Sequence, residues 1–197
     1  MFSTDEKRWR RSAAYVAVGA LAFQAVHLIE HAAQLGYWFL HPDRDPWLTP
    51  WAADGRDVLA VGGNTKLGSE LLHLVGNLIF MAGLLGLAAL LTDRSFPGKR
   101  SLRFALVIQG FHTVEHVLLT TTTVFFGKAI GFTTAFGLAT GVGLSSLRVW
   151  AHFAINLVAT WFAARALVEM WSHGLLLSRA GDTEDASEPA RATSVIS

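Results

Sequence analysis

Two short stretches of the chain repeat one arrangement of side chains able to hold a metal ion. Gln24-Ala-Val-His27-Leu-Ile-Glu30-His31 and Gln109-Gly-Phe-His112-Thr-Val-Glu115-His116 both read Q-x-x-H-x-x-E-H. Two further histidines, His73 and His152, are each followed four residues later by an asparagine, Asn77 and Asn156. On a helix each residue advances about 100°, so the i, i+3 and i+4 side chains of each motif leave one face within about one turn. Histidines at i and i+4 are a metal-binding pair, and a carboxylate at i+3 adds an oxygen ligand or a base. The expected ligands are therefore His27, Glu30, His31, His73, His112, Glu115, His116 and His152. Gln24, Asn77, Gln109 and Asn156 are expected to orient them by hydrogen bonding. Glu30 and Glu115 are the expected catalytic groups, bridging the metals or holding a proton near bound oxygen.

Several chemistries fit that donor set. Three histidines per half suit a paired copper centre that handles dioxygen, and two histidines with a carboxylate are the ligands of non-haem iron oxygenases. The order H-x-x-E-H is also the inverted zinc-protease motif, short enough to occur by chance. The leading expectation is a membrane oxidoreductase or oxygenase holding two transition-metal ions, copper or iron with zinc as the alternative. Its substrate would be lipophilic, such as a quinol, a fatty chain or a terpenoid. The rivals are a zinc hydrolase with Glu30 and Glu115 as bases, and a non-enzymatic metal transporter or sensor. A haem protein, a proton or ion path and a purely structural polar network complete the set. Haem has no use for the glutamates. Transport needs a path to both faces, yet residues 16–23, 80–90 and 157–164 are almost wholly apolar.

The absence of cysteine excludes disulfides, iron–sulfur clusters and thiolate copper sites. Three methionines, Met1 included, are too few for a methionine-lined copper path. A net charge of +1 gives no reason to expect a nucleic-acid partner. The expected partners are membrane lipid and a lipophilic substrate, and nothing in the sequence sets an oligomeric state.

The elements that must carry these residues are apolar. Of 197 residues, 52% are hydrophobic and only 16% charged. Residues 13–40, 71–91, 104–126 and 149–171 are each long enough to cross a bilayer, which takes about 20 residues. None of the five prolines falls within them. The expected fold is all-α and integral to the membrane, a four-transmembrane-helix bundle. A signal peptide is the competing reading of the first stretch, which is too long for one and lacks a clean cleavage site. The repeated motifs make the bundle two tandem two-helix repeats, related by a pseudo-twofold axis along the membrane normal.

The organisation follows. A basic cytoplasmic segment, 1–12, precedes repeat 1 at 13–93, whose outer loop is 41–68. A basic cytoplasmic linker, 94–103, leads to repeat 2 at 104–173, with a Gly/Thr-rich outer loop at 127–147, and to a disordered cytoplasmic tail at 174–197. A fifth crossing at 127–147 is the alternative, disfavoured by its Gly and Thr content. Lys7, Arg8, Arg10 and Arg11, with Arg94, Lys99, Arg100 and Arg103, put both termini in the cytoplasm and the site toward the outer half of the bilayer. His41 and His173 stand outside the pattern as interfacial residues, and Glu70 reads as a solvated outer cap.

Overall fold

Long apolar stretches without proline satisfy their backbone groups most readily as helix. In a computed structural model, which describes residues 4–44, 47–90, 98–138 and 142–173, the protein is all-helical, with no strand among the described residues. Its elements are α1 (Thr4–Leu40), α2 (Pro50–Val58), α3 (Thr65–Leu90), α4 (Lys99–Phe126) and α5 (Val142–Ser172). Short 3-10 turns, Val61–Gly63 and Phe132–Gly137, precede α3 and α5. The tail 174–197, the end of the first unit at 91–93 and the first part of the linker, 94–97, lie outside the described residues.

Each of the four long helices flanks two others: α1 and α4 both pack against α3 and α5. Three of them, within 11–40, 65–90 and 147–172, are long and apolar enough to cross a membrane. The fourth, α4, has the length but carries Gln109, His112, Glu115, His116 and four consecutive threonines, Thr120–Thr123, which dilute its apolar character. Its partners make up the difference, since Gln109, His112, Glu115 and His116 are all buried.

The helices run past the stretches that lipid would require. Residues 4–12 continue α1 upstream, α3 begins at Thr65 and α5 at Val142. The loop expected at 127–147 is thus shorter, and its described part forms a 3-10 turn and no spanning helix. Loop 41–68 contains α2, which packs on α3.

The end of the bundle away from these loops is a dry plug. Phe80, Leu84 and Leu87 of α3 meet Ala159, Ala163 and Met170 of α5, with Ala17 and Ala105 completing it. Gly83 lets α1 approach closely, because a Cβ there would lie 2.4 Å from that of Ala20. The outer surface is apolar too, with Val107, Val114 and Trp161 exposed, as helices facing lipid would have it.

Candidate metal centre

Four long helices bring all six motif histidines into one continuous cluster on the loop side of the plug. In the first half, the ring centroids of His27 and His31 are 4.5 Å apart, and each is 5.6 Å from that of His73. In the second, His112 and His116 are 4.7 Å apart, and His152 lies 5.1 and 4.9 Å from them. The halves touch where the His73 ring stacks on His116 at 5.3 Å and His31 approaches His152 at 5.7 Å. His112, His116 and His152 form a group that could hold a metal ion, with one ring nitrogen of each within 4.8 Å of the others. Tetrahedral coordination with metal–nitrogen bonds of about 2.0–2.1 Å sets its nitrogens about 3.3 Å apart. Two pairs are already near that spacing: the Nε2 atoms of His116 and His152 at 2.9 Å, and those of His27 and His31 at 3.1 Å.

The remaining ring nitrogens show how the imidazoles are aimed. Nδ1 of His73 donates to the Ser69 carbonyl at 2.8 Å, and Nδ1 of His152 donates to the Arg148 carbonyl at 3.0 Å. With the proton held on Nδ1, each Nε2 presents its lone pair to the cluster. His31 reaches the same state by a side-chain route. Gln34 donates through Nε2 to Glu30 at 3.0 Å, which turns its amide oxygen toward Nδ1 of His31 at 3.1 Å. The position matching Gln34 in the second motif is Leu119, and among the described residues Nδ1 of His116 is buried without a partner, as is Nδ1 of His112. Buried polar atoms are nearly always paired, so these two ring nitrogens lack the support that Nδ1 of His31 has.

Beneath the imidazoles lies a layer of buried amides that crosses between the halves. Gln24 donates to Asn156 Oδ1 at 2.8 Å, and Gln109 donates to Asn77 Oδ1 at 2.6 Å. Each asparagine in turn donates to the carbonyl of its own helix's histidine, His73 or His152, at 2.8 and 2.9 Å. Asn156 also sets its Nδ2 3.2 Å from Nε2 of His112.

The two glutamates are directed elsewhere. Glu115 accepts from the backbone N–H groups of Phe132 and Thr133 at 3.0 and 2.9 Å and from the Thr133 hydroxyl at 2.9 Å. Glu30 accepts from the Thr49 N–H at 3.1 Å and from the Thr49 hydroxyl, besides Gln34. Each carboxylate thus ties a connecting loop down over the cluster through a buried threonine. The group that could hold a metal ion comprises His112, His116 and His152, while Glu30 and Glu115 stand beside the cluster with their oxygens accepting from loop groups. Thr49 and Thr133 were not legible as site residues from the motifs, although they follow their glutamates by nearly the same interval, 19 and 18 residues.

Glu70 corrects its expected role as a solvated cap. It is only 4% exposed and pairs with Arg148 at 2.7 Å, across from α3 to α5. Because Arg148 stands where the first repeat has Ser69, and Val149 where it has Glu70, this bond departs from the repeat. His41 stacks on Tyr37 at 4.4 Å, and His173 bonds the Glu169 carbonyl at 2.7 Å; both lie apart from the cluster.

Two cavities reach the histidines. A larger one, about 620 Å³, opens on the loop side and is floored by His31, His73 and His152. A smaller apolar one, about 210 Å³, reaches His27 and His73 past Phe23, Val26 and Trp51. A protein-family model described as "Family of unknown function (DUF6008)" matches residues 3–194. No curated protein and no solved structure matches the chain.

Proposed function

The chain belongs to the DUF6008 family, and we propose that it is an integral membrane metalloprotein whose six histidines bind two copper ions for the oxidation of a lipophilic substrate. The observation that carries this reading is one cluster of six imidazoles, in which His112, His116 and His152 set ring nitrogens within 4.8 Å of one another and His73 stacks on His116, while both carboxylates accept from loop groups. An all-imidazole donor set suits copper or zinc better than magnesium, calcium or manganese, and it lacks the carboxylate of the two-histidine iron triad. Copper held in this way supplies one-electron and dioxygen chemistry. The chain's own groups would hold the ions and aim the rings through the Ser69 and Arg148 carbonyls and Gln34, beneath loops clamped by Glu30 and Glu115. The smaller cavity, bounded by the exposed side chains of Phe23 and Val26, gives an apolar molecule a lateral route to His27 and His73. A zinc hydrolase with glutamate as base is the less favoured reading, because each carboxylate already accepts from several loop or side-chain donors.

In this reading all four long helices span the bilayer, as tandem units 13–93 and 104–173 about a pseudo-twofold axis along the membrane normal. The crossed pairs Gln24–Asn156 and Gln109–Asn77, and the matched clamps on Thr49 and Thr133, support it. The basic residues flanking α1 and α4 argue for cytoplasmic termini and a site in the outer half.

Elemental analysis of the full chain in detergent, beside a His27→Ala/His112→Ala variant and an optical spectrum, tests the proposal. We expect about two copper ions per chain, lost in the variant. Zinc would move the reading to hydrolysis and a Soret band to haem. No bound metal after loading would overturn it.

A further inference from the structure

The larger cavity is charged in a way the histidine centre alone does not require. Arg56, Lys66, Lys128 and Arg148 line it, and among the described residues no aspartate or glutamate does. Two come from the first outer loop and the start of α3, two from the second loop and the start of α5, so the halves converge here on one sign. Acidic neighbours cover only two of the four. Arg148 pairs with Glu70 at 2.7 Å, and Arg56 with Asp57 at 2.8 Å. Lys66 and Lys128 have no ion-pair partner among the described residues, and both side chains are exposed. A cleft lined by one sign of charge over low-dielectric walls concentrates counter-ions. Snorkelling toward lipid headgroups would put these cations on the bundle's perimeter, whereas here they face a cavity floored by His31, His73 and His152.

We infer that this cavity is a binding vestibule for an oxyanion, a carboxylate or phosphate group, which Lys66 and Lys128 draw to the histidine centre. Its volume, about 620 Å³, is that of a small-molecule site. It shares Gln34, Leu48 and His73 with the apolar cavity beside it. An amphiphile could therefore rest its acidic head among the lysines and its tail between α1 and α3. The inference rests on the proposed function only for what becomes of the anion once bound. The capture itself needs no metal.

Calorimetry on the chelator-treated full chain in phosphatidylcholine nanodiscs, with acetate, octanoate and inorganic phosphate as probes, tests it. We expect saturable binding that weakens as ionic strength rises. Affinity should fall about tenfold or more in Lys66→Gln/Lys128→Gln and return in Lys66→Arg/Lys128→Arg, since only the charge is shared by lysine and arginine. Octanoate binding more tightly than acetate would support the vestibule and identify an amphiphile's head as the anion. Loss of soluble-anion binding in phosphatidylglycerol nanodiscs would support it and identify a lipid headgroup as the source. No binding of any probe, or equal affinity in Lys66→Gln/Lys128→Gln, would overturn it. Metal content of that variant, read in parallel, should match the wild type, so a failure of the vestibule is distinguishable from a failure of the metal centre.

Discussion

The two histidine trios come from the same motif and differ in what surrounds them. In the second, His112, His116 and His152 are all buried, and the ring nitrogens lie close enough to share an ion. In the first, His31 is buried but His27 and His73 are only partly so, and both line the apolar cavity. The first trio has Gln34 to fix His31; the second has Leu119 in its place and leaves Nδ1 of His116 without a partner among the described residues. The first trio thus meets both cavities, and the second meets the larger one through His152. The two copies of the motif thus differ at a few neighbouring positions, Gln34 against Leu119 among them.

The clamps should give the largest difference between the halves. Glu115→Ala strips partners from two backbone N–H groups and a hydroxyl, and a buried donor left unpaired costs about 1–3 kcal/mol. We expect a loss of about 3 kcal/mol, with limited proteolysis opening the loop at 127–138. Glu30→Ala should cost less, about 2 kcal/mol, because α2 still packs on α3. Elemental analysis of both variants should find the metal retained. Loss of an ion would return that carboxylate to the coordination sphere.

A middle-sized effect should follow from exchanging the residues at one position. Gln34→Leu leaves His31 as unsupported as His116, and losses of such an outer contact typically weaken metal binding by about 10–100-fold. Leu119→Gln offers His116 the amide oxygen it lacks and should tighten binding in the second half. Chelator competition on the two variants reads both directions, and equal behaviour would erase the distinction between the trios.

The smallest effect concerns the loops. Ala135 and Phe136 in the second loop have left-handed backbones, with φ of 47° and 54°, whereas the first loop uses Gly62 and Gly63 for that conformation. A side chain is disfavoured there, so Ala135→Gly should raise the melting temperature, by about 0.5–1 kcal/mol of stability. An unchanged or lower value would mean the loop gains nothing from glycine in that position.

Much of this site can be read from spacing, because a helix turns residue intervals into directions. His27 and His31, or His112 and His116, must share a face wherever their helices sit. The same rule placed Glu30 and Glu115 on that face, but the loop groups that each one accepts from could not be read from it. What decides a carboxylate's partner is the loop that reaches it, and loops have no period to read. Glu70 escaped for a related reason: its partner, Arg148, lies 78 residues away at a position where the repeat had already diverged. The helix count differed at α4 because its polar residues, buried by their neighbours, still lower the hydropathy of the segment that carries them.

The dry plug of Phe80, Leu84, Ala159 and Ala163 makes the histidine cluster a cul-de-sac. In a bilayer, protons and polar products could come and go only through the loop-side mouth. Turnover would then consume or release its protons in a single compartment, and a voltage across the membrane would neither drive the reaction nor be charged by it.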